Sequence, residues 1–123
     1  MPVNPMPTIR DLAPVLAVTR ASMQPMLAFF TDQLGFSTDT LIGDPPQFAM
    51  LMRDGKTVML TCDKDFTLPQ KNWAVYFWID DVEAMHAEAL ERGAKAGPLT
   101  NKPYDMVEFE ITAPDGRIIT FGQ

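Results

Sequence analysis

Two glutamates stand two residues apart, Glu108 and Glu110, in a stretch whose other members are largely apolar. Read as a strand, that stretch turns Val107, Phe109 and Ile111 to the core and puts Glu108 and Glu110 on the opposite face, together with Met106. Acidic groups on an otherwise apolar, aromatic face call for either solvent or a ligand, and the residues leave both readings open. The same alternation in Trp73 to Ile79 packs Val75, Phe77 and Ile79 against helices and leaves Ala74, Tyr76 and Trp78 on the other face. In Arg117 to Phe121 it buries Ile119 and Phe121 and leaves Ile118 and Thr120 there. Other chemistry is sparse. His86 is the single histidine and Cys62 the single cysteine. His86 is expected to be solvated on the flank of a helix, and Cys62 to be an inert thiol at a strand end. There is no Gly-rich phosphate loop and no Gly-x-Ser-x-Gly elbow.

The elements that must position these residues come as a repeat. One helix candidate runs from Ser22 to Leu34 and stops at Gly35; a second runs from Asp80 to Arg92 and stops at Gly93. Asp54-Gly55 and Asp115-Gly116 each lead into a short apolar run. Gly93 follows Gly35 by 58 positions and Asp115 follows Asp54 by 61, a near-constant offset that points to duplication. Ser22 is the expected N-cap of the first helix, with Pro25 in its first turn and Met23, Met26, Leu27, Phe30 and Leu34 as its apolar face. Asp80 and Glu83 form a capping box for the second, with Val82, Met85, Ala89 and Leu90 facing inward and Gly93 as left-handed cap. Strands are expected over Leu12–Thr19, Phe36–Leu41, Gln47–Arg53, Thr57–Thr61, Trp73–Ile79, Lys95–Leu99, Tyr104–Thr112 and Arg117–Phe121. The chain therefore reads as α+β, with an arm at 1–11, one βαβββ module at 12–62, a linker at 63–72 and a second βαβββ module at 73–123.

Composition excludes several classes. The net charge of −6 argues against nucleic acid, which needs clustered Lys and Arg. No apolar run reaches the length of a membrane span, and Met1 to Pro7 lacks the pattern of a signal peptide, so a cytoplasmic address is expected. The lone cysteine agrees with it.

Leu27-Ala28-Phe29-Phe30 with Leu34-Gly35-Phe36, then Ile79-Asp80-Asp81-Val82-Glu83-Ala84-Met85-His86-Ala87-Glu88, then Ala113-Pro114-Asp115-Gly116-Arg117-Ile118-Ile119 resemble the vicinal oxygen chelate superfamily, especially its glyoxalase and bleomycin-resistance-like branch. The resemblance spans roughly residues 12 to 123. It implies two βαβββ modules whose sheets curl around a cleft, often completed by a second subunit in a homodimer. It also implies four metal-ligand positions, on the first and last strand of each module, which fall here on Val15, Met59, Ala74 and Thr120. None is a carboxylate or imidazole, so no metal and no cofactor is expected. The cleft would then be lined by Tyr76, Trp78, Met59, Tyr104, Met106, Glu108, Glu110 and Thr120, a set suited to a flat, partly cationic organic molecule.

Three readings follow. The first is a metal-free protein of the antibiotic-resistance type that holds a small organic, drug-like ligand without turnover. The second is a lyase or dioxygenase with a relocated metal site, or a metal-independent isomerase using Glu108 or Glu110 as general base. The third is a non-catalytic dimer without a small ligand.

Overall fold

The structure, a computed structural model, describes residues 6–67 and 73–123. The beginning of the expected arm (1–5) and the end of the expected linker (68–72, with Pro69) lie outside the described residues. Two four-stranded mixed sheets form, each with one helix. β1 (Val15–Val18), α1 (Arg20–Ala28), β2 (Ser37–Ile42), β3 (Phe48–Arg53) and β4 (Lys56–Cys62) make the first module. β5 (Trp73–Trp78), α2 (Val82–Glu91), β6 (Thr100–Asn101), β7 (Val107–Thr112) and β8 (Ile118–Gly122) make the second. The sheet orders, β1-β4-β3-β2 and β5-β8-β7-β6, are the same pattern twice, with a parallel first-to-last pair and antiparallel neighbours beyond it. The α+β duplication read from the sequence is what the chain adopts.

Local chemistry explains the boundaries. Thr19, not Ser22, is the N-cap of α1: its hydroxyl accepts from the Ser22 N–H at 3.2 Å. The helix therefore starts earlier and Pro25 lies inside it, beyond the first turn. A π-helical turn, Phe29–Gln33, continues α1. Phe29 and Phe30, neighbours in this turn, are both buried in the core. Met23, Met26, Leu27, Phe30 and Leu34 are buried as expected. Gly35, at φ 73°, then turns the chain into β2. Asp54 and Gly55 both have positive φ and close β3 onto β4 as a two-residue hairpin between Arg53 and Lys56.

In the second module Asp81, not Asp80, caps α2, its carboxylate accepting from the Ala84 N–H at 3.0 Å. The Asp80 carbonyl instead accepts from the Gln123 side chain, which also takes the Val82 N–H. Val82, Met85 and Ala89 face inward, but Leu90 is 52% exposed, because it follows Ala89 by about 100° around the helix. Gly93 caps the helix at φ 82°. The expected strand at Lys95–Leu99 reduces to a single bridge from Ala96 to Ile111, and the pairing passes to β6. The strand expected from Leu12 shortens to β1, and that expected from Tyr104 begins at Val107.

One apolar core joins the modules. Phe36 of the first meets Phe77 of the second at 5.9 Å between ring centroids, and Phe77 stacks on Phe121, which stacks on Phe109. Polar ties reinforce this seam. Arg53 grips Glu88 of α2 with two bonds, at 2.7 and 3.0 Å, and donates to the Leu34 carbonyl; Arg92 reaches the same carboxylate at 3.1 Å. Arg117, buried at the start of β8, donates to the Ala17 carbonyl of β1 and lies over the Phe66 ring. With the inner faces thus committed to a shared core, the opposite face of each sheet points away from it.

Candidate ligand-binding site

The outward face of the second sheet is built from two cross-strand rows. Tyr76 of β5 pairs with Thr120 of β8, which pairs with Glu110 of β7; Trp78 pairs with Gly122, which pairs with Glu108. Tyr76 leans diagonally across Gly122 and donates its hydroxyl to Glu108 Oε2 at 2.7 Å. Tyr104, from the loop before β7, places its hydroxyl 2.9 Å from both Glu108 oxygens. Gly122 is the seat for this arrangement, since a Cβ there would lie 1.9 Å from the Tyr76 hydroxyl and 3.2 Å from Glu108 Cγ. Glu108 is consequently only 2% exposed. Trp73 makes the matching diagonal one row away, its indole N–H donating to Glu110 Oε2 at 2.7 Å. Trp73, Tyr76 and Trp78 form a continuous row of rings, with centroid separations of 5.3 and 5.0 Å.

The charge on this face is negative and held by neutral donors. Burial, and then the hydrogen bond to Glu108, push the Tyr76 phenol up to about 12; the same two causes in the same order raise Tyr104. Both hydroxyls therefore keep their protons at neutral pH and donate to the carboxylate. Among the described residues, no Lys or Arg forms an ion pair with Glu108 or Glu110. Thr120 is completely buried between Tyr76 and Glu110, with its hydroxyl unpaired. A buried carboxylate with neutral partners, flanked by aromatic rings, favours a cation above the face.

The structure thus brings together six of the expected residues, Tyr76, Trp78, Tyr104, Glu108, Glu110 and Thr120. Met106 sits half-buried just before β7. Met59 lies on the other sheet, paired with Val15 on one side and Met50 on the other. The solvent reading of the two acids holds for Glu110, which is exposed, and fails for Glu108. His86 is not solvated as expected: it is half-buried, packs edge-on against Phe109 at 4.9 Å and donates from Nε2 to the Gly97 carbonyl at 2.8 Å. Cys62 ends β4 as a half-buried free thiol.

Two members escaped the sequence. Trp73 by strict alternation shares the core side with Val75. A bulge at Ala74 undoes this, because Trp73 and Val75 pair with the consecutive residues Ile118 and Ile119. Gly122 could have been flagged, since a glycine in a strand often marks close approach of another group.

That bulge also corrects one of the four metal positions. Val15 pairs with Met59, and the residue paired with Thr120 is Tyr76, so Tyr76 and not Ala74 is the counterpart of Val15; Ala74 packs against the core. The corrected set of Val15, Met59, Tyr76 and Thr120 offers an alkyl group, a thioether, a phenol and a hydroxyl. The phenol is protonated and bound to Glu108. This set does not fit a divalent cation. Among the described residues, no three His, Cys, Asp or Glu side chains come together in a metal-binding group.

Comparison with known proteins yields matches by structure. No family model matches the sequence, and no curated protein matches it. Among solved structures, a bleomycin resistance determinant encoded on transposon Tn5 superposes with a TM-score of 0.76 at 14% identity, covering 94% of this chain and 98% of that one. A glyoxalase-related enzyme from Clostridium phytofermentans gives 0.75 at 21% identity, covering 94% and 95%. The bleomycin-binding protein of Streptomyces verticillus, solved with copper(II)-bleomycin, gives 0.71 at 22% identity, covering 94% and 97%. The two repeated modules of this chain are therefore folded as in the glyoxalase and bleomycin resistance proteins.

Proposed function

We propose that this protein binds a small, flat, cationic organic molecule on the outward face of its second sheet and holds it without turnover or metal. The observation that carries the reading is Glu108, buried between two tyrosine hydroxyls beneath the Trp73–Tyr76–Trp78 row. The rings provide stacking area, and the carboxylate pair supplies the charge that a cation senses through low-dielectric surroundings. Glu108 suits a fixed anion better than a general base, since both its oxygens already accept from tyrosines. Binding of antibiotics by two proteins of this fold, the one from Streptomyces verticillus and one from Streptomyces sp. CB03234, supports the class of ligand.

The ligand's second wall is the first sheet of another copy. Val15, 56% exposed, heads an apolar outward face with Met50 and Met59, while Trp78 is 79% exposed. Bare apolar faces of this kind are normally covered, and in a homodimer each would cover the other's aromatic row. The single cysteine suits a reducing, cytoplasmic setting.

Fluorescence titration with N-methylacridinium, alongside neutral acridine, tests the site. The cation should bind and acridine should bind at least tenfold more weakly, with Glu108→Gln and Trp78→Ala each weakening the cation roughly tenfold. Equal affinity for the two probes, or indifference to both substitutions, would refute the assignment. Metal analysis is the second arm: stoichiometric Zn, Ni, Fe or Mn in the purified protein rules out the metal-free reading. Light scattering at micromolar concentration reads the oligomeric state, and a monomer in the presence of bound ligand would exclude the shared cleft.

A further inference from the structure

A cavity of about 470 Å³ lies on the seam between the modules, away from the two acids of the aromatic face. Its floor is apolar: Leu34 and Phe36 come from the first module, Phe77, Met85 and Phe121 from the second. These are the residues whose packing joins the halves, yet they leave a hollow of a size that takes a small organic ligand. Its mouth is polar, formed by Arg53, Asp54 and Lys56 of the β3–β4 hairpin and by Asp80, Asp81 and Glu88 around α2.

The mouth selects for charge. Arg53 is spoken for, because its guanidinium holds Glu88 through two hydrogen bonds; that pairing lowers the Glu88 pKa although burial acts to raise it. The N-terminus of α2 is largely spoken for. Its Val82 N–H is taken by Gln123, its Ala84 N–H by the Asp81 side chain and its Met85 N–H by the Asp81 carbonyl, so of its first four backbone donors three are already committed. What faces an incoming molecule is Asp80 and Asp81, with Asp54, which lies 3.4 Å from Arg53 Nε, against Lys56, all four exposed. We infer that the seam cavity is a second binding site, for an amphipathic monocation whose aromatic or branched body fills the Phe36–Phe77–Phe121 floor and whose ammonium group rests among these aspartates.

The site is separate from the aromatic face in chemistry as well as position. Trp78 alone contributes to both; Glu108, Glu110, Tyr76 and Tyr104 are absent from the seam lining. A ligand bound here would touch both modules at once.

The probes are 2-naphthylmethyl-trimethylammonium and 2-naphthalenesulfonate, which share a body and differ in head charge. Binding is followed by the 13C-methyl NMR signal of Met85, assigned by Met85→Leu in otherwise methyl-labelled protein. The ammonium compound should shift the Met85 signal saturably, and the sulfonate should bind at least tenfold more weakly. Ala84→Phe, which places a ring at the mouth from an exposed helix position, should abolish the shift while leaving the protein folded. Asp80→Asn should weaken it about two- to fivefold, the range for a partly exposed charge. Glu108→Gln should leave it unchanged, which separates this site from the aromatic face. The inference is overturned if Met85 does not respond, if the sulfonate binds as well as the ammonium compound, or if Glu108→Gln abolishes the shift while Ala84→Phe does not.

Discussion

Replacing Gly122 with alanine tests the whole construction of the aromatic face with one methyl group. The added Cβ would lie 1.9 Å from the Tyr76 hydroxyl and 2.7 Å from Tyr76 Cζ, distances that no small adjustment relieves. Tyr76 must swing away and lose its 2.7 Å bond to Glu108. A hydrogen bond to a charged group is worth about 1.5–3 kcal/mol, and crowding adds about 1–3 kcal/mol where relaxation is incomplete. Tyr104 still holds the carboxylate and limits the loss, so about 2–4 kcal/mol is expected overall. For a chain of this length that corresponds to a fall in Tm on the order of 10 °C in calorimetry. A double-mutant cycle sharpens the test. Tyr76→Ala alone forfeits the same bond, so combining it with Gly122→Ala should cost much less than the sum of the two. Either a Gly122→Ala protein within about 0.5 kcal/mol of the parent or strict additivity with Tyr76→Ala would refute the diagonal contact.

Other outcomes follow from the same geometry. In alkaline titration read by phenolate absorbance, both tyrosines should resist ionisation beyond pH 10, Tyr76 until about pH 12; Glu108→Gln should bring Tyr76 down only part of the way, because burial is the larger cause. As the unfolded chain ionises first, stability measured by denaturant should fall as pH rises from about 10 towards 12. Glu88 is held below its ordinary value of 4.5, chiefly by Arg53, so its contribution is complete above that value and is lost as pH falls through the lower folded value. Glu88→Gln should remove this acid limb, at a cost of about 1–2 kcal/mol near neutrality for a pair that is partly solvent-screened. Phe29→Ala should cost about 3–5 kcal/mol by chemical denaturation, as expected for a fully packed ring.

Much of this molecule was legible because it is written twice. The two Gly-ended helices and the two Asp-Gly turns fixed the module plan, and alternation in β7 and β8 assigned Phe109, Ile111, Ile119 and Phe121 to the core correctly. What misled was in several places one residue of slippage. Asp80 and Asp81 are adjacent acids, and either could cap a helix; the choice depends on Gln123, 43 residues beyond Asp80, which claims the Asp80 carbonyl. Phe29, left out of the apolar face expected for this helix, is buried within a π turn. Trp73 belongs to the site only through the bulge at Ala74. Glu108 had the right face but the wrong environment, since period-two logic states direction and cannot state that two phenols from elsewhere will close over a carboxylate.

Arg117 has a consequence beyond joining the modules. β1 is the outer strand of its sheet, and its carbonyls on the free side would be open to any extended chain. By donating to the Ala17 carbonyl, a guanidinium stands where a foreign strand would have to hydrogen-bond. The side chain is also buried, which leaves it little room to swing aside. A four-residue strand so guarded is a poor template for edge-to-edge stacking, so the side chain that ties the halves together also occupies an otherwise open sheet edge.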